Sequence, residues 1–159
     1  MAKFKLKSFC KINLSLRVLK KLSSGYHRIQ SLITFTYLYD TIVISEKKGP
    51  KDSIVFSGQF NKGINKQFNT ISKTLNLLRK MKQITTKRFR LNIEKNIPPG
   101  SGLGGGSANA ATIINFLYKN KKLNLKKKSI YKLANQIGSD VPILLERTTS
   151  LITGKKDKI

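Results

Sequence analysis

A glycine-rich segment at residues 97–111, IPPGSGLGGGSANAA, carries the residue types with the clearest chemical use. Five glycines fall within seven positions, a strand-like stretch (RFRLNIE, 88–94) precedes them, and alanine-rich, helix-forming sequence follows. Glycines let a backbone approach a ligand closely, and the unpaired N–H groups of a helix start attract negative charge. The order strand, glycine loop, helix therefore predicts a phosphate-binding site. The alternative is a flexible surface loop without a ligand.

Three well-known phosphate-binding patterns compete for this segment, and each of them fails. Gly100, Gly102 and Gly105 satisfy G-x-G-x-x-G, but no acidic residue follows before Asp140, whereas the dinucleotide fingerprint needs one about 20 residues onward. The Walker A pattern requires lysine where Gly106 stands. A protein-kinase glycine loop lies between two strands, and the HRD and DFG signatures are absent from the sequence. The segment therefore predicts a phosphate cradle of another type.

Hydrophobic periodicity predicts the elements that would position this loop. Alternating polar and apolar residues predict half-buried strands at 3–9, 11–18, 41–45, 53–57 and 88–94. Helical spacing predicts four helices. The first runs from the N-cap Asn69 to about Lys80, and the second follows the glycine loop with Ser107 as its N-cap. The third runs from Lys126 to Ile137 with Gly138 at C′, and the fourth begins at Asp140 with Pro142 in its first turn. Mixed element types and the lack of an interdomain linker predict one two-layer α+β domain.

In the second predicted strand, the apolar residues Ile12, Leu14, Leu16 and Val18 share one face. Lys11 and Asn13 lie on the opposite, polar face, close enough to reach the same ligand.

The net charge is the other prominent feature of the sequence. Its 159 residues carry 32 Lys+Arg against 7 Asp+Glu, a formal charge of +25. Such a charge suggests nucleic-acid binding, but 26 of the basic residues are lysines spread along the chain, while base readout favours arginine. A joint excess of Lys, Ile and Asn is also what AT-rich coding produces. A basic RNA-binding or ribosome-associated domain is therefore an alternative that the sequence disfavours.

The content of cysteine, histidine and apolar residues excludes several classes of protein. Cys10 is the only cysteine and His27 the only histidine, so neither an intrachain disulfide nor a Cys/His zinc site can form. No apolar run approaches the length of a membrane helix, and the N-terminus lacks the continuous apolar stretch of a signal peptide. These features predict a cytoplasmic domain with no membrane partner.

The segment PPGSGLGGGSANAA at 98–111 resembles the ATP-binding motif of the GHMP kinases. Three more segments match in the family's order: CKINLSLRVL at 10–19, SSGYHRIQSL at 23–32 and IGSDVP at 137–142. Together they resemble the branch that phosphorylates the 2-hydroxyl of diphosphocytidyl-methylerythritol with Mg·ATP, in the methylerythritol route to isoprenoid precursors. Another GHMP kinase such as homoserine kinase is the alternative, which Tyr26 and His27 disfavour. A truncated, inactive remnant is a further alternative.

The resemblance also implies roles for individual residues. It makes Asp140 the base that takes the proton of the substrate hydroxyl, with Lys11 beside it, and places Asn13, Tyr26 and His27 against the substrate, the last two at its cytidine end. It puts Ser107 near Mg²⁺. It assigns the ATP phosphates to Pro98, Pro99, Gly100, Ser101, Gly102, Leu103, Gly104, Gly105, Gly106, Ser107 and Ala108. Taken alone, Lys11 and Asp140 also fit a solvated lysine and a helix-capping aspartate.

The sequence departs from the family pattern in two residues and in length. Cys10 stands where the family usually has alanine, and Ala108 where a second serine is usual, but neither change removes a charge that the chemistry needs. Family members continue into a second domain that closes the site. We therefore expect residues 1–154 to be the N-terminal, ATP-binding domain and 155–159 a charged tail or truncation point, with the C-terminal domain absent. Alone, such a chain should bind ATP weakly and turn over poorly.

Overall fold

A computed structural model describes residues 2–23, 27–65 and 67–156, except for the side chains of residues 155 and 156. Three strands come first, and three consecutive helices precede the last strand. The elements are β1 (Lys3–Lys21), β2 (His27–Lys47), β3 (Ser53–Ser57), α1 (Thr70–Lys80), β4 (Arg88–Glu94), α2 (Gly105–Lys119), α3 (Lys127–Ile137), α4 (Val141–Glu146) and β5 (Ser150–Lys156).

One mixed sheet organises the chain, with the strand order β1-β2-β4-β3 and with β5 also paired to β2. All pairs are antiparallel except β3 with β4. Strand β2 runs the full length of the sheet. Its residues 41–47 pair with β4, and its residues 27–33 pair with β5. The register of the β1–β2 hairpin shifts between Asn13 and Ser15, a β-bulge that lies beside the site described below.

The helices cover one face of this sheet and form the core with it. Alternate residues of β2 and β4 point toward the helices, among them Ile42, Ile44, Phe89, Leu91 and Ile93, each at most 1% exposed. Helix α2 lies at the centre of the helical layer and is buried along most of its length. Burial of this apolar surface is the main stabilising contribution to such a layered domain. The two-layer α+β prediction is confirmed.

Three strand predictions need correction. The strands predicted at 3–9 and 11–18 form one element, β1, and the strand predicted at 41–45 is only the end of β2. Strand β5 was not predicted. The apolar side of β1 is also not half-buried past Ile12, because Leu14, Leu16 and Val18 are 57%, 49% and 51% exposed. The helices lie against the other half of the sheet, so nothing among the described residues covers these side chains.

The helix predictions are mostly confirmed, with two corrections at helix ends. Helix α1 has Asn69 as its N-cap, and the Asn69 side chain accepts a hydrogen bond from the Ser72 N–H. Ser107 is not an N-cap: α2 begins at Gly105 after the N-cap Gly104, whose left-handed conformation (φ +71°) lets the chain turn into the helix three residues earlier. Gly138 caps α3 in an extended conformation (φ −178°), not a left-handed one. None of the described helices combines the length and apolar character needed to cross a bilayer.

Candidate active site

The glycine loop, residues 95–104, links β4 to α2 and requires glycine at several positions. Gly100, Gly102 and Gly104 have φ values of +73°, +75° and +71°, in the left-handed region that other residues rarely adopt. At Gly105 the restriction is steric, because an added Cβ would lie 2.8 Å from Cγ2 of Ile97. The glycines therefore determine the path of the loop and let its backbone pass close to other segments of the same chain.

The loop forms one wall of a cleft of about 590 Å³. Nine of the eleven residues predicted to hold ATP phosphates line this cleft: Pro98, Pro99, Gly100, Ser101, Gly102, Gly104, Gly105, Gly106 and Ser107. Leu103 and Ala108 do not. Leu103 instead accepts a hydrogen bond through its carbonyl oxygen from the Lys11 N–H (3.1 Å), which ties the loop to β1. Ala108 is buried inside α2. A serine hydroxyl at position 108 would therefore be buried too, and the departure at Ala108 does not alter the wall of the cleft.

Two helices begin at this cleft, α1 at Thr70 and α2 at Gly105. The first N–H groups of a helix have no partner within it, and the helix dipole adds partial positive charge there. The Thr70 hydroxyl donates to the Gly106 carbonyl oxygen (2.7 Å) and fixes the two helix starts relative to each other. The N-cap signal of Asn69 was visible in the sequence, but nothing local indicated that α1 would begin beside the glycine loop.

A buried polar cluster under the cleft holds the start of the loop in place. Asp40 is fully buried, and its Oδ1 accepts the backbone N–H groups of Asn96 (2.8 Å) and Ile97 (3.0 Å). Its Oδ2 accepts hydrogen bonds from the Lys95 ammonium and from Nδ2 of Asn109 (2.9 Å). Because Lys95 and Asn109 also line the cleft, this cluster joins β2, the glycine loop and α2 at its floor.

Lys11 and Asp140 lie together at the edge of the cleft. Nζ of Lys11 is 3.9 Å from Oδ2 of Asp140, and both side chains are largely shielded from solvent. Lys11 comes from the middle of β1, and its ammonium donates to Oδ1 of Asn13 (2.5 Å). Asp140 is the N-cap residue of α4, but its carboxylate accepts no capping hydrogen bond. The structure therefore confirms the predicted position of Asp140 at a helix start and brings its carboxylate to Lys11.

A second, smaller cavity of about 50 Å³ lies on the other side of this pair. Its walls come from β1, β2, β5 and the start of α4. They are mostly apolar, with Ile29, Ile33, Ile143 and Ile152 beside Lys11, Asn13 and Ser31. Ser139 and Asp140 line both this cavity and the glycine-loop cleft. The Asp140 carboxylate therefore lies at the boundary between two cavities. The isoleucine walls were not predicted, because β5 was not predicted either.

One of the three predicted substrate residues, Asn13, lines the smaller cavity. His27 is not among its lining residues. His27 begins β2 two residues before Ile29, on the same side of the strand, and its Nδ1 is buried with no hydrogen-bond partner among the described residues. Tyr26 lies outside the described residues.

The side chains available for a cation are few. Among the described residues there is no cluster of three His, Cys, Asp or Glu side chains that would hold a metal. Ser107 and Asp140 both line the cleft and supply hydroxyl and carboxylate oxygens. Mg²⁺ is usually bound through one or two protein ligands together with substrate phosphates and water, so the Ser107 hydroxyl fits a cation that arrives with a nucleotide.

Comparison with known proteins places these features in a family. Residues 69–146 match the family described as "GHMP kinases N terminal domain". The chain is 41% identical over 157 residues, 99% of its length, to 4-diphosphocytidyl-2-C-methyl-D-erythritol kinase of Pelagibacter ubique, and covers 55% of that protein. It is 37% identical over its whole length to the kinase of the same name from Anaplasma marginale, covering 54% of it. The chain thus spans about half the length of the curated relatives it matches.

Solved structures agree with the sequence matches. A crystal structure of 4-(cytidine 5'-diphospho)-2C-methyl-D-erythritol kinase superposes with a TM-score of 0.76 at 26% identity, over 95% of this chain and 52% of that one. The mevalonate kinase of Methanococcus jannaschii superposes with a TM-score of 0.61 at 20% identity, over 98% of this chain and 56% of that one, which shows a shared fold. The fold, the glycine loop and the sequence matches together show that residues 69–146 belong to the N-terminal domain of the GHMP kinases.

Proposed function

We propose that this chain supplies the nucleotide-binding and proton-accepting half of a kinase that phosphorylates the 2-hydroxyl of 4-diphosphocytidyl-2-C-methyl-D-erythritol with Mg·ATP. The observation that carries the proposal is the position of Asp140, between the glycine-loop cleft and the isoleucine-lined cavity, with Lys11 beside it. Phosphoryl transfer needs a donor site and an acceptor site that meet at a base, and these two cavities meet at a carboxylate.

The donor side would be the glycine-loop cleft. Its walls include the first residues of α1 and α2, whose starts carry backbone N–H groups, and Lys95 lies at its floor. Backbone donors and helix dipoles of this kind stabilise phosphate oxygens without a change of structure on binding. When Mg²⁺ is bound with the nucleotide, it neutralises charge on the phosphates, and Ser107 is the residue that would hold it.

The acceptor side would be the smaller cavity. Its isoleucine walls suit the carbon skeleton of a methylated sugar alcohol, and Asn13 offers an amide to its hydroxyls. The half-buried His27 imidazole would meet the edge of the cytosine base.

In the reaction the acceptor hydroxyl gives its proton to the Asp140 carboxylate while its oxygen forms a bond to the γ-phosphorus of ATP. The bond between that phosphorus and the β,γ-bridging oxygen breaks, and ADP leaves. The Lys11 ammonium stabilises the negative charge that develops on the acceptor oxygen.

A comparison of two acceptors in parallel reactions tests this function. The chain is incubated with Mg·ATP and the cytidine-linked acceptor, and ³¹P NMR follows formation of a new phosphomonoester together with ADP. Homoserine replaces the acceptor in a parallel reaction. We expect slow transfer to the cytidine-linked acceptor and none to homoserine. Transfer to homoserine at an equal or higher rate, or ADP formation that ignores the acceptor, would contradict the proposal.

A further inference from the structure

Beyond the proposed catalytic pair, two serines lie where the hairpin register shifts beside it. At the β-bulge between Asn13 and Ser15, the pairing of β1 with β2 is interrupted. Ser15 and Ser31 provide hydrogen bonds at this point. The Ser15 hydroxyl accepts the Leu32 N–H (3.3 Å), and the Ser15 carbonyl oxygen accepts the Ser31 hydroxyl (2.7 Å).

Ser31 is 1% exposed, and its hydroxyl has a second partner. Nδ2 of Asn13 lies 2.6 Å from Oγ of Ser31. A hydroxyl carries one proton, and Ser31 donates that proton to the Ser15 carbonyl, which can only accept. Ser31 must therefore accept from Asn13, and the NH₂ group of the Asn13 amide has to face it.

This direction of the hydrogen bonds determines what Lys11 meets. With its NH₂ group toward Ser31, the Asn13 amide turns its oxygen toward Nζ of Lys11, at 2.5 Å. The opposite orientation would place an amide NH₂ against an ammonium, two donors with no acceptor between them. We infer that Ser31 is a positioning residue, which fixes the Asn13 amide and through it holds the Lys11 ammonium beside Asp140.

The inference rests on the proposed function, since Lys11 matters only if the pair takes part in phosphoryl transfer. The hydrogen bonds that link Ser15, Ser31, Asn13 and Lys11 form a chain, called the relay below. This relay exists whether or not the protein is catalytically active. Two measurements are therefore needed, one of the relay and one of catalysis.

Three variants separate positioning from a general loss of structure. Ser31→Ala removes the acceptor for Asn13. Ser31→Thr keeps the hydroxyl, and threonine suits a strand. Its extra methyl group lies at the wall of the small cavity, so KM for the acceptor is measured as well. Thr34→Val is the matched control, because Thr34 lies on the same strand and its hydroxyl bonds Thr149 at the surface, outside the relay.

Hydrogen exchange of the Asn13 side-chain amide, followed by ¹⁵N NMR, tests the relay. In Ser31→Ala we expect this amide to exchange roughly 10-fold faster, because it has lost its buried acceptor. In Ser31→Thr and Thr34→Val its exchange should match that of the parent chain. Equal exchange in the parent chain and Ser31→Ala would overturn the inference.

Steady-state kinetics test the consequence for catalysis. We expect kcat in Ser31→Ala to fall roughly 10-fold with KM for ATP little changed, whereas Ser31→Thr should keep kcat and change only KM for the acceptor, whose cavity it lines. The parent chain could protect the Asn13 amide from exchange and still not phosphorylate the cytidine-linked acceptor. That result would refute the proposed function but not the hydrogen-bonded relay. A parent chain that turns over and a Ser31→Ala variant with equal kcat would refute the positioning role.

Discussion

Nζ of Lys11 lies 3.9 Å from Oδ2 of Asp140, although one residue belongs to the first strand and the other to the start of the last helix. The two side chains meet because the glycine loop lies beside both of them. The Leu103 carbonyl accepts the Lys11 N–H, and a Cβ added at Gly104 would lie 3.5 Å from both the Lys11 and Leu144 side chains. The loop thus contacts the strand that carries the ammonium and the helix that begins at the carboxylate.

Replacement of Asp140 by asparagine tests its role as the base. Asp140→Asn keeps the shape of the side chain and removes its ability to take a proton, so we expect the transfer rate to fall by about 10²–10⁴-fold. Nucleotide affinity should change little. Both are measured by steady-state kinetics and by titration with a fluorescent ATP analogue. Glu146→Gln, at the other end of α4 in an exposed ion pair with Lys127, is the control. Wild-type turnover in Asp140→Asn would remove this residue from the mechanism.

Replacement of Gly105 by alanine tests the close packing at the start of α2. The new Cβ would lie 2.8 Å from Cγ2 of Ile97, so the loop has to move, and we expect a loss of about 1–3 kcal/mol in the free energy of unfolding. At Gly106 an added Cβ lies 3.5 Å from the Thr70 hydroxyl, an ordinary contact. Gly106→Ala should therefore leave stability nearly unchanged. Urea denaturation of the two variants measures the difference. Equal stabilities would show that the close contact of Gly105 with Ile97 does not require glycine.

Replacement of Asp40 by asparagine tests the buried cluster beneath the cleft. Without its carboxylate, the Lys95 ammonium is left buried without an opposite charge, and we expect a loss of about 3–5 kcal/mol in the free energy of unfolding. Because Lys95→Met removes the isolated charge, the Asp40→Asn/Lys95→Met double variant should lose much less than the sum of the two single variants. Urea denaturation of the four proteins completes the cycle. Additive losses would mean that Asp40 and Lys95 do not act as a pair.

The ion pair of Glu46 with Lys122 predicts a dependence of stability on pH. The hydrogen bond from Lys122 lowers the pKa of the Glu46 carboxyl below its usual value of 4.5. A carboxyl with a lowered pKa in the folded state stabilises the fold above its unfolded pKa, and this contribution disappears as the pH falls through the folded pKa. Glu46 is 37% exposed, so the contribution should stay within about 1 kcal/mol and weaken with salt.

The free energies of unfolding of the parent chain and Glu46→Gln, measured in urea from neutral to acid pH, test this dependence. The difference should be present at neutral pH and shrink once the pH falls below the usual value of 4.5. A difference that persists undiminished in strong acid would show that the variant acts through packing and not through charge.

Local patterns in the sequence predicted the parts of the site that are built locally. The glycine loop, its position between β4 and α2, the N-cap at Asn69 and the start of a helix after Asp140 all depend on residues close together in the chain. These features follow from backbone conformation and capping, which neighbouring residues determine.

The features that were missed depend on residues far apart in the chain. Asp40 holds the loop through Lys95 and Asn109, and no pattern around Asp40 indicates those partners. The helices cover only part of the sheet, so the predicted apolar face of β1 is exposed at Leu14, whereas Lys11 is buried where the glycine loop lies against β1. Ser107 was predicted as a cap because serine favours that position, but Gly104 turns the chain earlier and leaves Ser107 facing the cleft.

A ¹⁵N NMR titration of the chain with Mg·ATP at increasing salt tests whether the glycine-loop cleft binds the nucleotide. If the glycine-loop cleft holds the triphosphate, the largest shifts should occur in the backbone amides of residues 100–107 and Thr70, with smaller ones near Asp140. Shifts spread over the lysine clusters at 121–122 and 126–128, disappearing steeply with salt, would contradict the account.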